Sequence, residues 1–142
     1  MKVSARNVLE GTVSALKEST VNAEVDVSLG GGDKLAAVVT LESVRSLGLV
    51  VGTKVVAVVK APWVMLATDG SGYRLSARNI LAGTVESVEA GKVNVEVTLA
   101  LPGGTRITSV VTREAATELG LKPGVKACAV IKASSVILGV PA

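Results

Sequence analysis

Apolar and polar positions alternate along much of the chain. Val21, Ala23, Val25 and Val27 interleave with Asn22, Glu24, Asp26 and Ser28, the period-two pattern of a strand with one buried face. Ahead of it, residues 8–16 read as a strand whose alternation breaks at Gly11. The GGGDK stretch makes a hairpin loop into a further strand over 35–40. Residues 41–47 predict a short helix, with Thr40 as N-cap and Gly48 in the left-handed C-cap position. Gly52 and Thr53 turn the chain into a strand over 54–60, and residues 64–67 supply a last one. The order strand-strand-strand-helix-strand-strand is that of an OB-type five-stranded barrel.

The whole pattern then repeats. Residues 2–68 map onto 74–140 without a gap, and nearly half of the aligned pairs are identical. SARNVLEGTV returns as SARNILAGTV, and Pro123-Gly124 gives the second copy's turn explicit chemistry. The fold expected is all-β: two tandem OB-type five-stranded barrels, each with one short helix, as domains 1–68 and 74–142 with a linker at 69–73. The polar TDGSG stretch reaches about 17 Å fully extended, which places the two copies side by side. A barrel of this size is marginal alone. Both copies also carry more Val, Ala and Leu than a small interior needs. The surplus is expected at interfaces between copies or subunits, in an obligate oligomer.

Composition narrows the chemistry. Histidine is absent and Cys128 is the single cysteine, so no Ser-His, Cys-His or zinc site can be built within the chain. Enzyme hypotheses are disfavoured. One cysteine fits a reducing cytoplasm. No apolar run is long enough to span a membrane, and the charged start, with Lys2 and Arg6, does not read as a secretory leader. The net charge of +3 is a mild bias toward anions. Single-stranded nucleic acid, a frequent OB-barrel ligand, needs stacking aromatics. Phe is absent, Trp63 is Ser135 in the second copy, and Tyr73 falls in the linker, so no nucleic-acid platform is expected.

The repeat itself points to chemistry. Ser4, Ala5, Arg6 and Asn7 recur as Ser76, Ala77, Arg78 and Asn79, while residues 14–20 and 86–92 have drifted apart. One reading is a solvated lead-in with the asparagines in a turn. The other is a donor cluster, hydroxyl plus backbone N–H plus guanidinium, which suits an oxyanion. Lys60 and Lys132 end apolar strands in identical positions, either as strand-end snorkels or as cations near the arginines. Thr40 and Thr112 read as N-caps, although a helix start also offers free N–H groups to an anion. Ser43 follows Thr40 by one turn, and its counterpart is Ala115. Cys128 matches Val56 and reads as core. Glu24 and Glu96 read as solvated or ion-paired, and the retained Asn22 and Asn94 suggest an interface or second site.

The stretches SARNVLEGTV, VNAEV, LGL and VVKAPWVML together resemble the molbindins, molybdate-binding proteins built from Mop-type domains, here a tandem pair. The resemblance covers nearly the whole chain. It implies a cytoplasmic homotrimer in which six domains pack together and hold molybdate, or tungstate as its analogue, at domain interfaces. The implied ligands are Ser4, Arg6 and Lys60 with the N–H groups of Ala5 and Ala61, joined from a neighbouring domain by Thr40 and Ser43. In the second copy they are Ser76, Arg78 and Lys132 with Ala77 and Ala133, joined by Thr112. Val21, Asn22, Val93 and Asn94 are candidates for further sites on the three-fold axis. Storage and homeostasis of the anion is the implied function. The alternatives are a single-stranded nucleic-acid binder and the molybdate-sensing module of a regulator or transporter. Relatives of that last kind usually carry a helix-turn-helix or an ATP-binding domain, for which the sequence has no pattern.

Overall fold

A computed structural model describes residues 2–68 and 72–142. The first copy runs β1 (Asn7–Glu18), β2 (Asn22–Gly30), β3 (Asp33–Thr40), α1 (Leu41–Leu47), β4 (Lys54–Val59), a 3-10 turn (Ala61–Trp63) and β5 (Met65–Ala67). The second runs β6 (Asn79–Ala90), β7 (Asn94–Ala100), β8 (Arg106–Thr112), α2 (Arg113–Glu118), β9 (Lys126–Ile131), a 3-10 turn (Ala133–Ser135) and β10 (Ile137–Gly139). Most of the linker expected at 69–73 lies outside the described residues.

The alternation does what it promised. Ala23, Val25 and Val27 on β2 face inward with Val55, Ala57 and Val59 on β4, and Val95, Val97 and Leu99 repeat this on β7. The expectation fails at Val21, which is 66% exposed and precedes the paired residues of β2. Cys128, read as core, is half-buried. Thr40 caps α1, its side chain accepting the Ser43 N–H, and Gly48 closes the helix at φ 65°. The break at Gly11 marks a close approach. A Cβ there would lie 2.5 Å from the Ser28 carbonyl oxygen, so β1 can bend across β2 only without a side chain.

Each sheet has five strands, in the orders β10-β4-β1-β2-β3 and β5-β9-β6-β7-β8. The expectation that each copy closes its own barrel is therefore corrected: the copies exchange their last strands. Ile137 pairs with Val58, and Met65 pairs with Val130. β10 then packs on β3 and β5 on β8, which brings the two ends of each sheet together. The reason lies in length and likeness. Strands of three residues with matching patterns suit either sheet, and only the wider contact between copies decides.

That contact is isologous, with each interaction answered by its repeat counterpart. Asn7 Nδ2 donates to the Thr108 carbonyl at 2.7 Å, and the Thr108 N–H donates to Asn7 Oδ1 at 2.7 Å. Asn79 makes the same pair of bonds with Ala36, at 2.8 and 2.7 Å. Where the pseudo-twofold passes, equivalent residues meet each other. A Cβ on Gly103 would sit 2.6 Å from the Gly31 carbonyl oxygen, so the two hairpin loops touch through bare backbone.

Candidate anion-binding site

β1 pairs with β4 so that Asn7 lies opposite Val59, and β6 with β9 so that Asn79 lies opposite Ile131. Arg6 and Lys60, and likewise Arg78 and Lys132, therefore sit just beyond the last paired residues at one end of each sheet. In the second copy the result is a cavity of about 390 Å³. Ser76, Ala77, Arg78, Lys132 and Ala133 line it, and Val38 and Met65 of the first copy form part of its wall. A hydroxyl, a guanidinium and an ammonium thus share one space, and all three can donate to an anion. In the first copy Ser4, Ala5 and Arg6 approach Lys60 and Ala61 by the same register. Both arginines and both lysines are exposed, while Ala61 and Ala133 are buried at the starts of their 3-10 turns.

The arginines also reach the other copy. Arg6 Nε lies 3.5 Å from Glu96 Oε2, and Arg78 Nη2 lies 3.7 Å from Glu24 Oε2. These pairs are largely exposed and each contributes at most about 1 kcal/mol. Each contact uses one nitrogen of a guanidinium that has five N–H donors. The lysines differ between copies: Lys60 Nζ stands 5.5 Å from the centroid of the Trp63 ring, and Lys132 has Ser135 at that place.

Thr40, Ser43 and Thr112 do not line the cavity. Thr40 pairs with Asn22, beside the Glu18 end of β1, whereas Arg6 precedes its Asn7 end. The twelve residues of β1 lie between those ends, about 36 Å measured along the strand at the ordinary rise. One copy cannot bring its threonine to its own arginine. The Thr40 hydroxyl donates to Ser43 Oγ at 2.9 Å while accepting the Ser43 N–H at 3.1 Å, and Thr112 accepts the Ala115 N–H at 3.1 Å. Val93 is 73% exposed, and Asn22 and Asn94 are also exposed. The Val21 and Val93 carbonyls accept the first N–H of α1 and α2, and Ser19 donates to the Asn22 carbonyl. The repeated Val-Asn pair thus joins a β-turn to a helix start.

Four polar residues escaped the sequence reading. Asn7 and Asn79, read as turn formers, are 2% exposed and bind the other copy, a role signalled only by their identity in both repeats. Ser109 is fully buried and donates to the Val64 carbonyl at 2.5 Å, just past the Lys60 turn. Asp33, read as part of a hairpin loop, is 7% exposed and accepts the N–H groups of Gly103 at 3.0 Å and Thr105 at 3.1 Å. Burial pushes its carboxyl up, but the Thr105 hydroxyl and these two N–H groups outweigh burial and hold it below the ordinary value.

Glu24 and Glu96 are ion-paired, as one reading had it. Among the described residues no three His, Cys, Asp or Glu side chains converge to hold a metal cation. No described helix is long and apolar enough to cross a membrane.

Two strand-exchanged five-stranded sheets, each with a donor cluster at one end, define a tandem OB-type module suited to a small oxyanion. The TOBE domain model matches residues 3–66 and again 75–138, and the chain belongs to that family as a tandem pair. Among solved structures it is similar to the cytoplasmic molybdate-binding protein ModG with molybdate bound. That likeness has 76% identity and a TM-score of 0.94, and covers 99% of this chain and 100% of the other. It is 49% identical over 140 residues to the molybdenum transport protein ModE of Azotobacter vinelandii, covering 99% of this chain and 52% of that protein. It is 45% identical over 141 residues to the molybdenum-pterin-binding protein MopA of Rhodobacter capsulatus, covering 99% of this chain and 53% of that one. The chain spans about half the length of the curated relatives it matches.

Proposed function

We propose that the chain binds molybdate, with tungstate as its analogue, and acts by binding, without catalysis, in cytoplasmic storage and homeostasis of molybdenum. The observation that carries this reading is the cavity in which Ser76, Arg78 and Lys132 converge. The donors suit a dianion that offers acceptors in every direction. Full-length likeness to ModG, a protein seen with molybdate bound, supports the choice of anion.

The threonines complete each site from a neighbouring domain. Thr40 and Ser43 would join Ser4, Ala5, Arg6, Lys60 and Ala61, and Thr112 would join Ser76, Ala77, Arg78, Lys132 and Ala133. The distance between Thr40 and Arg6 along β1 supports a contribution from a domain other than the arginine's own. A homotrimer is the assembly proposed, with Val21-Asn22 and Val93-Asn94 as candidates for its axis. Val3, Val8, Met65, Leu75, Ile80 and Ile137 are exposed apolar side chains that packing against neighbouring subunits would bury.

A second reading, the molybdate-binding part of a regulator, draws on the likeness to ModE. It uses the same anion site. Equilibrium dialysis against molybdate, followed by elemental analysis, tests the shared element. Molybdenum retained in defined stoichiometry in the presence of excess sulfate is the expected result. Retention no greater than that of sulfate would overturn both readings.

A further inference from the structure

The two clamp lysines have the same sequence position and different surroundings. Lys60 is the N-cap of the 3-10 turn Ala61–Trp63, and the Trp63 N–H bonds to the Lys60 carbonyl at 2.9 Å. That bond folds residue 63 back toward residue 60, which puts the ring and the lysine side chain on neighbouring positions of one tight turn. The ammonium lies 5.5 Å from the ring centroid, within the range of cation–π attraction. Pro62 fixes one φ in the turn, and the Ser109 hydroxyl holds the carbonyl that follows Trp63. The turn at Lys132 has the same backbone bond, Ser135 N–H to Lys132 carbonyl at 2.9 Å, but none of these supports. Ser134 replaces the proline, Ser135 the tryptophan, and Ala37 stands where Ser109 stands in the other copy.

We infer that Trp63 is a positioning residue for Lys60, which pre-orients the ammonium of the first clamp and makes the two clamps inequivalent toward the anion. The inference rests on the anion-binding reading above. A lysine side chain loses much rotamer freedom when it engages a ligand. A ring that already confines it removes part of that loss, because one face of the ammonium meets the π cloud while its remaining N–H donors stay available.

Trp63 is the only tryptophan in the chain, so it can be replaced biosynthetically by fluorinated tryptophans. Successive fluorines weaken the negative face of the ring and largely preserve its shape. The contact is tested without any anion. The fluorine resonance of the labelled full-length protein should move in the Lys60→Met variant and stay in place in Lys132→Met. Its function is tested by calorimetric titration with molybdate, in an Arg78→Ala background that isolates the first clamp. Trp63→Phe should bind within about twofold of the parent, and Trp63→Leu about two- to fivefold more weakly, the range of an exposed cation–π contact. Fluorinated proteins should weaken in order of fluorine content. A graded loss with rescue by Phe is an electronic effect that lost packing would not reproduce. Equal affinity in the Leu, Phe and fluorinated proteins would overturn the positioning role, and an unmoved resonance in Lys60→Met would overturn the contact. A normal fluorine response with no molybdate uptake by any protein would overturn the anion-binding reading itself, and the positioning role with it.

Discussion

Asn7 and Thr108 close a two-bond ring between the copies, amide to carbonyl and N–H to amide oxygen, each 2.7 Å long. The asparagine sits at the first residue of β1, next to the arginine of the clamp. SARN is thus two devices in four residues. Its first three residues face the candidate anion site, and its last bolts that site to the other copy.

Replacing Asn7 with Ala leaves a buried N–H and a buried carbonyl at Thr108 without partners. Each such loss costs about 1–3 kcal/mol, so Asn7→Ala should destabilise the fold by about 2–4 kcal/mol in chemical denaturation. Asn79→Ala should do the same through Ala36. Lys122→Ala, on an exposed lysine outside the cross-copy contact, should stay within about 0.5 kcal/mol. Equal effects for all three would show that the cross-copy rings do not stabilise the assembly.

The strand faces, the hairpin loop over Gly31 and Gly32, the Thr40 cap and the Gly48 stop were all legible in the sequence. Period-two burial and capping chemistry are local, and local sequence encodes them. The grouping of Ser76, Ala77 and Arg78 with Lys132 and Ala133 was legible in part. The lysines end a strand that neighbours the first one, and family resemblance supplied the rest. The exchange of β5 and β10 was hidden. A three-residue strand reading Met-Leu-Ala or Ile-Leu-Gly has no local preference for either sheet. Asn7 and Asp33 were misread for a related reason, since their partners, Thr108 and Gly103, lie a whole repeat away. Val21 continued the apolar alternation by one position, but strand pairing stops at Asn22, so nothing covers it within the chain.

The anion clamp predicts a site-specific loss. Each charge-assisted bond contributes about 1.5–3 kcal/mol, so Arg6→Ala should weaken the first clamp by roughly tenfold to a hundredfold. The Arg78 clamp should be spared. Calorimetric titration resolving two classes of site checks this, and an unchanged isotherm would remove Arg6 from the ligand set.

Asp33 predicts an acid-sensitive contact between the hairpin loops. Its folded-state pKa lies below the unfolded value of about 3.9, so the carboxylate contributes stability above that value. The contribution is lost as pH falls through the depressed folded pKa. Asp33→Asn should therefore be less stable than the parent at neutral pH, and the gap should shrink below about pH 4. Denaturation series at pH 7 and pH 3 read it directly. A gap that grows on acidification would contradict the bonding of Asp33 to Gly103 and Thr105.

Donor chemistry predicts selectivity. Arg, Lys and backbone N–H groups only donate, and Ser and Thr hydroxyls can turn to donate. Phosphate near neutral pH still carries a proton, which would face a donor and cost about 1–3 kcal/mol if buried there. The expected order is molybdate about equal to tungstate, then sulfate, then phosphate. Glu24 and Glu96 lie beside the arginines as acceptors, and removing them should not promote molybdate over tungstate. Competition titrations in which phosphate displaces molybdate as readily as sulfate would show that an acceptor takes part in the site.

The central claim is a location. Anomalous scattering from molybdenum in crystals grown with molybdate tests it most directly. The account predicts peaks within hydrogen-bond reach of Ser76, Arg78 and Lys132, and of Ser4, Arg6 and Lys60, with Thr112 and Thr40 supplied by neighbouring domains. Molybdenum bound only elsewhere, with both clamps empty, would contradict it.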